Sequence, residues 1–224
     1  MQVFADLFGF LTGTPAMVGL LLTAWVIFVA ADWRVALSAL LVQYILVGLA
    51  LVGTVQVELV VVRILTGVLA TAILYLSARH VPAGGDEADE EGRPHILGLQ
   101  VRWLAGPLGF PLRLLASLLV VLMVVLVFQN YKLETVPMGL ALMAFWMAGM
   151  GILGLVLSGH PLRAALAGMT FLAGFDLVFA ALESSLALVG FLSAFYLLAA
   201  LGFSYLVAAH YLVGSGSPGG RAQG

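Results

Sequence analysis

The sequence predicts an all-α protein, a polytopic bundle of about seven transmembrane helices. Hydrophobic residues make up 63% of the chain and charged residues only 9%, whereas about a quarter of the residues of a soluble domain are charged. The apolar residues also fall into successive runs separated by short polar stretches. Each run is close to the ~20 residues that a helix needs to cross a bilayer, so each predicts one membrane span.

Composition also excludes several classes of site. The chain contains no cysteine, which excludes a disulfide framework, a thiolate metal site and a cysteine nucleophile. Its net charge is −2, and without a basic cluster we expect no nucleic-acid partner. Residues Met1–Thr14 contain no Lys or Arg but include Asp6. The first helix is therefore predicted to be retained and not cleaved as a signal peptide.

The first three apolar runs, within residues 1–78, predict helices one to three. The first run ends beside Trp33, an aromatic residue that suits the membrane interface. The third run is unusual because Arg63 lies inside it. The predicted bounds are Pro15–Ala31, Val35–Thr54 and Glu58–Ala78.

A change of composition marks residues 79–111 as a linker. It holds four of the eight prolines, and five acidic residues lie between Asp86 and Glu91, which predicts a solvated cytoplasmic loop. Its second part, His95–Phe110, mixes apolar residues with polar ones. We expect this part to be a short segment that lies in the membrane interface and does not span the bilayer.

Four further apolar runs predict helices four to seven. Helix five begins at Pro137, and Pro161 stands just before helix six; proline is common at the start of a helix, where the N–H that it lacks has no helical partner. The Gly- and Ser-rich tail of residues 213–224 predicts a flexible terminus. The predicted bounds are Leu112–Asn130, Pro137–Leu157, Leu162–Ser184 and Ala187–Leu212.

The Lys and Arg residues predict the orientation of the bundle, because cytoplasmic loops carry an excess of them. Seven spans place the two termini on opposite sides, and Lys132 is then the only basic residue on one side, with Arg63 inside the membrane. The N-terminus is therefore predicted outside and the C-terminus in the cytoplasm, with the chain as a multi-pass protein of the inner (plasma) membrane. The cytoplasmic side holds Arg34, Arg79, Arg93, Arg102, Arg113, Arg163 and Arg221.

Two local matches indicate an internal repeat. Residues Arg34–Leu37 match Arg163–Leu166 at an offset of 129 positions, and Tyr75–His80 match Tyr205–His210 at an offset of 130. Both matches place helices one to three in register with helices five to seven. Since helix four lies between them, the two copies cross the membrane in the same direction, which predicts a parallel 3+1+3 repeat.

Asp176 and Arg63 are the main candidates for a functional site. A charged side chain inside the bilayer is costly, so an intramembrane acid indicates a functional site by default. With helix six running outward and helix three inward, at ~1.5 Å per residue, Asp176 lies ~12 Å and Arg63 ~7 Å below the outer boundary. The two side chains are expected to meet there on a proton or cation path. The alternatives are a structural ion pair, or an Arg63 side chain that reaches the outer headgroups.

Further candidates for the same path lie on helix six and near the two membrane surfaces. Glu183 follows Asp176 by seven residues, about two turns, and so shares its helix face; the alternative is an interfacial anchor. Glu58 is expected near the outer interface. His160 and Arg163 lie in the cytoplasmic hairpin SGHPLR, whose alternative interpretation is a positive-inside turn.

The order of helices from Phe145 to Leu212 resembles a known family. Its core, GILGLVLSGHPLRAALAGMTFLAGFDLVFAAL, resembles the NuoK-type three-helix subunit of respiratory complex I and the MnhC-like subunits of Mrp antiporters. In that family a basic cytoplasmic hairpin leads into a helix with a membrane-embedded glutamate. The chain as a whole, with VELVVVRILTGVLATAILYLSARHVP in its N-terminal half, resembles more specifically the HyfE-like membrane subunit of hydrogenase-4-type complexes.

This resemblance implies an integral subunit of a complex I-like, hydrogenase-like or cation/proton antiporter assembly, packed beside a large antiporter-like subunit. It offers Asp176 in the place of the family's buried acid. Helix seven has no acid where the family has a second one, so the chain either contributes to a proton or cation path or is its scaffold. No haem, flavin or iron–sulfur signature occurs. We therefore expect no cofactor and no catalysis by this chain alone, only a non-redox role in a proton-translocating oxidoreductase.

Two other classes of protein stay open. A 3+1+3 repeat with an outer N-terminus also resembles the SWEET sugar transporters and predicts a free-standing small-solute transporter, although the chain contains no Pro-Gln dipeptide. The third class is a membrane enzyme. The chain has two pairs of histidines that could serve such an enzyme, His80 with His95 and His160 with His210. Neither pair has the spacing of metal ligands, so no metal site is predicted.

Overall fold

The computed structural model describes residues 14–30, 32–52, 55–79, 95–96, 99–100, 109–130, 136–182 and 185–215. Nearly all of them are helical, which confirms the all-α class. The helices of the described part are α1 (Thr14–Val29), α2 (Trp33–Leu51), α3 (Val57–Arg79), α4 (Gly109–Asn130), α5 (Met138–Leu157), α6 (Pro161–Leu182) and α7 (Leu186–Ser215). Between α3 and α4, two short strands, β1 (His95–Ile96) and β2 (Leu99–Gln100), pair antiparallel.

Five of these helices are long and apolar enough to cross a membrane: α2, α3, α5, α6 and, over Leu186–His210, α7. Helices α1 and α4 contain shorter apolar stretches, Pro15–Val29 and Arg113–Val127. The prediction of a polytopic helical membrane protein is confirmed. The count of seven spans, the orientation of the bundle and the interfacial position of His95–Phe110 stay predictions.

Helices α2 and α6 are capped in the same way at their N-termini. The Asp32 carboxylate accepts a hydrogen bond from the Arg34 N–H at 2.8 Å. At the start of α6, His160 Nδ1 accepts a hydrogen bond from the Leu162 N–H at 3.3 Å. Such acceptors satisfy N–H groups of the first turn that have no helical partner. The two capping residues lie 128 positions apart, within two residues of the offsets that the repeat predicts.

The helices before and after α4 pack in equivalent pairs. Helix α1 contacts α5, α2 contacts α6 and α3 contacts α7, while α4 packs against α5 and α1. A side-chain hydrogen bond joins each of these pairs, and the parallel 3+1+3 repeat stays a prediction. The bonds run from Trp146 Nε1 to the Leu21 carbonyl (3.3 Å), from the Tyr44 hydroxyl to the Met169 carbonyl (3.2 Å) and from the Ser77 hydroxyl to the Ser204 carbonyl (3.0 Å).

Glycines let α5 and α6 approach each other closely. A Cβ added at Gly151 would stand 2.6 Å from the backbone nitrogen of Phe171, and one added at Gly174 would stand 2.9 Å from the Ala144 carbonyl oxygen. Membrane helices associate through close backbone contacts of this kind. Helix α6 also packs against α2 and α7. It is therefore surrounded by helices on several sides, and it is the helix that carries Asp176.

Candidate functional site

Arg63 of α3 and Asp176 of α6 form a buried ion pair. Arg63 Nη1 donates a hydrogen bond to Asp176 Oδ1 and another, at 3.3 Å, to the Asp176 backbone carbonyl. The two residues are only 5% and 3% exposed. The meeting of these side chains, which the helix directions predict from the sequence, is confirmed.

The ion pair lies nearer one end of the bundle. Arg63 stands six residues after the start of α3, and Asp176 stands six residues before the end of α6. At ~1.5 Å per residue, each lies ~9 Å from that helix end. The two helices therefore present the opposite charges at one level, well inside the helical part of the chain.

Two tyrosines from two further helices surround the pair. The Tyr44 hydroxyl of α2 donates to the Met169 carbonyl at 3.2 Å. The Tyr196 hydroxyl of α7 donates to the Leu172 carbonyl at 3.1 Å. The two hydroxyl groups therefore bond to the backbone of α6 seven and four residues before Asp176. The site is therefore built from α2, α3, α6 and α7.

Buried polar atoms without a partner add to the polarity of this region. In the described part of the chain they are Nε2 and Oε1 of Gln43 and Nε of Arg63. Gln43 is fully buried near the middle of α2, ten residues after its start and eight before its end. An unsatisfied buried polar group costs about 1–3 kcal/mol. Gln43 and Arg63 therefore both bury polar atoms that the described part of the chain does not satisfy.

The internal repeat does not duplicate the ion pair. At the offset of 130 residues that matches helices three and seven, Arg63 corresponds to Ser193, and at the offset of 129 that matches helices two and six, Asp176 corresponds to Val47. Val47 is a buried apolar residue. The predicted repeat therefore does not supply a second pair of charges.

This arrangement responds to the protonation state of Asp176. A neutral Asp176 side chain would still offer its carbonyl oxygen as an acceptor, but it would no longer supply a negative charge to balance Arg63. A buried guanidinium without a counter-charge is strongly unfavourable. Protonation of Asp176 would therefore favour a compensating movement of charge or of side chains.

The other predicted residues that the structure describes do not join the pair. Glu58 is exposed in the first turn of α3, and Glu183 lies outside the described residues. His160 caps α6. Arg163 precedes Asp176 by 13 residues on α6, ~20 Å along the helix axis. His160 and Arg163 therefore belong to the opposite end of the bundle.

Three residues of this region are not predicted from the sequence: Gln43, Tyr44 and Tyr196. The available signal is a polar group inside an apolar run. That signal does not reveal which side of the helix faces inward, because a helix that is apolar all round has no polar face to orient it.

The described residues contain no group of three or more His, Cys, Asp or Glu side chains that could hold a metal ion. The rings of His160 and His210 are in contact, with centroids 5.9 Å apart, and His80 lies outside the described residues. Comparison with models of protein families, with curated proteins and with solved structures gave no match to this chain. The chemistry of the buried ion pair is what carries a functional proposal.

Proposed function

We propose that this chain is an integral membrane subunit of a proton- or cation-translocating assembly of the complex I-like, hydrogenase-like or cation/proton antiporter type, in the inner (plasma) membrane. The observation that carries the proposal is the Arg63–Asp176 pair, buried between two apolar helices. Ionisable residues inside membrane helices are expensive and are typical of ion pathways and proton relays. The assembly's other membrane subunits, including a large antiporter-like one, are the partners that the family resemblance implies.

In this proposal Asp176 is the proton- or cation-responsive group and Arg63 is its counter-ion. When Asp176 is charged, the Arg63 guanidinium stabilises the carboxylate. When Asp176 takes up a proton, the Arg63 charge loses its partner and attracts an anion or another carboxylate. The pair thereby links the charge of one residue to events in a neighbouring subunit, whether this chain conducts ions or scaffolds the path.

The test is Asp176→Asn in the intact assembly. Asparagine keeps the size of the side chain but carries no charge, so we expect ion-coupled activity to fall by about an order of magnitude while the assembly still forms. Ion uptake in membrane vesicles measures activity, and native electrophoresis measures assembly. Asp32→Asn is the matched control, because Asp32 is exposed at the start of α2 and asparagine is an equally good capping residue.

A second variant distinguishes a loss of ion coupling from a folding defect. Asp176→Asn leaves Arg63 buried without a counter-charge, which is itself destabilising. Replacing both partners by apolar residues, Arg63→Met with Asp176→Leu, removes that penalty and often leaves stability unchanged. If this double variant assembles and still moves ions at the normal rate, the pair is structural and the proposal fails.

A free-standing small-solute transporter is the second candidate. The observation that favours it is the pairing of α1 with α5, α2 with α6 and α3 with α7, because many transporters are built from two related halves. Discontinuous helices, which often form transporter binding sites, are not seen among the described helices that reach spanning length. Solute uptake by the purified chain in liposomes would favour this candidate, whereas co-purification in a large complex would favour the first.

A further inference from the structure

A narrow cleft enters the bundle from the end opposite the ion pair. It lies where α1 and α5 end and where α4 and α6 begin. The space in the cleft that the centres of water molecules can occupy is about 30 Å³, and each buried water needs about 10–15 Å³ of such space. The cleft therefore has room for about two water molecules and is too small for a metal cation with its hydration shell.

The cleft has polar groups both at its mouth and at its floor. The mouth is formed near the helix ends by Ser158, Arg113 and Arg163. Thr170 lies deeper, nine residues after the start of α6, which is ~14 Å along the helix axis. The buried Thr170 hydroxyl donates to the Leu166 carbonyl at 2.9 Å, and its oxygen can still accept a hydrogen bond. Water at the floor of the cleft therefore has a polar partner.

Gln43 of α2 lies at about the depth of this floor. Helix α2 begins four residues after α1 ends, so its start lies at the same end of the bundle as the mouth of the cleft. Gln43 stands ten residues after that start, ~15 Å along the helix axis. The Tyr44 hydroxyl donates to the Met169 carbonyl at 3.2 Å. Since these two residues adjoin Gln43 and Thr170 in the sequence, the bond joins α2 and α6 at the level of the floor.

Gln43 also lies on the side of α2 that faces the helix bordering the cleft. Leu46, three residues after Gln43 and so on the same helix face, packs against Gly19 of α1. Helix α1 in turn forms part of the cleft wall through Ala24 and Ile27. Nε2 and Oε1 of Gln43 are buried without a partner in the described part of the chain. An amide that can both donate and accept hydrogen bonds therefore stands at the depth of the floor and on its side of α2.

We propose that this cleft admits water and that the Gln43 amide anchors the hydrogen-bonded water chain through which Asp176 exchanges a proton with that end of the bundle. This inference rests on the proposed function, in which Asp176 binds a proton. Thr170 precedes Asp176 by six residues, ~9 Å along the axis of α6 but on a different side of it, since six residues make about one and two-thirds turns. Helix α2 packs against both helices of the ion pair, so Gln43 supplies polar atoms on a helix that reaches both sides. On uptake a hydrated proton loses one O–H bond to the Asp176 carboxylate, and on release that bond is returned to water.

This role gives a reason for the unpartnered amide of Gln43. A buried amide without a partner is costly, and in this role water reaches it only while a proton is passed. The cleft also favours protons over metal cations, because its described lining holds no acidic side chain that could replace the hydration shell of a cation. A proton moves between hydrogen-bonded water molecules and needs no such ligand.

Hydroxyl radicals test whether the cleft holds water. X-ray radiolysis of water produces them in place, and methionine beside a bound water is oxidised to the sulfoxide. Met150 and Met143, both on α5, are only 2% and 3% exposed, and of the two only Met150 lines the described cleft. We expect Met150 to be oxidised several-fold faster than Met143 in the purified full-length chain, as measured by mass spectrometry. Equal rates would overturn the proposal, because the cleft would then be dry.

Two variants test whether this water serves the ion pair. Gln43→Met and Thr170→Val remove hydrogen-bonding groups with little change of shape. We expect each to lower proton uptake by the intact assembly several-fold, although the assembly still forms and Gln43→Met loses no thermal stability. Thr71→Val is the matched control, because the buried Thr71 hydroxyl also donates to the carbonyl four residues before it, that of Gly67, at 2.8 Å, and Thr71 does not line the described cleft. Normal uptake in either test variant would overturn the proposal.

Asp176→Asn separates this inference from the function on which it rests. If Asp176→Asn lowers uptake and Gln43→Met does not, the proposed function stands and the water route fails. If Met150 is oxidised preferentially but Asp176→Asn leaves uptake unchanged, the proposed function fails. The cleft would then be hydrated without serving Asp176, which overturns the route as well.

Discussion

At the scale of single residues, the Arg63–Asp176 pair is better explained by function than by stability. Removing two charges from water costs several kcal/mol per ion, and an apolar pair of similar volume is often as stable or more stable. The predicted repeat gives no reason for the charges either, since the corresponding positions hold Ser193 and Val47. A pair that is expensive and unnecessary for packing is the kind of feature that ion coupling would retain.

Gln43 gives a prediction about the same region. Methionine matches the shape of glutamine without its polar atoms, and the amide of Gln43 is buried without a partner in the described chain. We therefore expect Gln43→Met to raise the free energy of unfolding by about 1 kcal/mol. Denaturant unfolding of the purified chain in detergent measures this.

The control for this prediction is Gln129→Met, because Gln129 is exposed near the end of α4. The control should leave stability unchanged in detergent. A clear loss of stability in Gln43→Met would contradict the prediction, since it would mean that the amide is hydrogen-bonded in the native protein.

At the scale of helices, the sequence predicts where each helix begins and ends better than it predicts which side of the helix is buried. Helix six was predicted over Leu162–Ser184 and α6 spans Pro161–Leu182, because a proline and a polar hairpin mark its start. Which side of each helix is buried is decided by packing. Close contacts such as that of Gly151 with Phe171 depend on the partner helix, and an apolar run alone does not reveal its partner.

Alanine is expected to have opposite effects on stability at two glycines, Gly151 in the contact between α5 and α6 and Gly190 on the exposed side of α7. Alanine at Gly151 would place its Cβ against the Phe171 backbone, whereas alanine at Gly190 of α7 would meet nothing within 4 Å. We expect Gly151→Ala to destabilise the chain by about 1–3 kcal/mol through overpacking. Gly190→Ala should instead stabilise it by up to ~1 kcal/mol through helix propensity.

Thermal unfolding of both variants in the same detergent, followed by helical circular dichroism, measures the two effects. Equal shifts of the same sign in the two variants would show that helix propensity dominates and that the close approach of α5 and α6 is not maintained in the folded protein.

At the scale of the whole molecule, the sequence predicts the ion pair but not its surroundings. Arg63 and Asp176 are charges in apolar runs, and the directions of their helices place them at one depth, so span counting predicts that they can meet. Their contact, and the positions of Gln43, Tyr44 and Tyr196, depend on which helices become neighbours. That choice is made by the packing of the two halves of the bundle, and the short matches between those halves do not determine it.

The orientation of the whole bundle gives the last prediction, and the absence of cysteine from the chain makes it direct to test. Glu58 is exposed at the end nearer the ion pair, and Gly159 is exposed at the opposite end. With the N-terminus outside, a membrane-impermeant maleimide should label Glu58→Cys in intact cells and Gly159→Cys only after lysis. The reverse pattern would overturn the orientation, and labelling of both from one side would contradict the parallel repeat. Asp176 lies ~9 Å from the end of α6 and ~22 Å from its start, so the labelled side also identifies the compartment from which a proton has the shorter route to the pair.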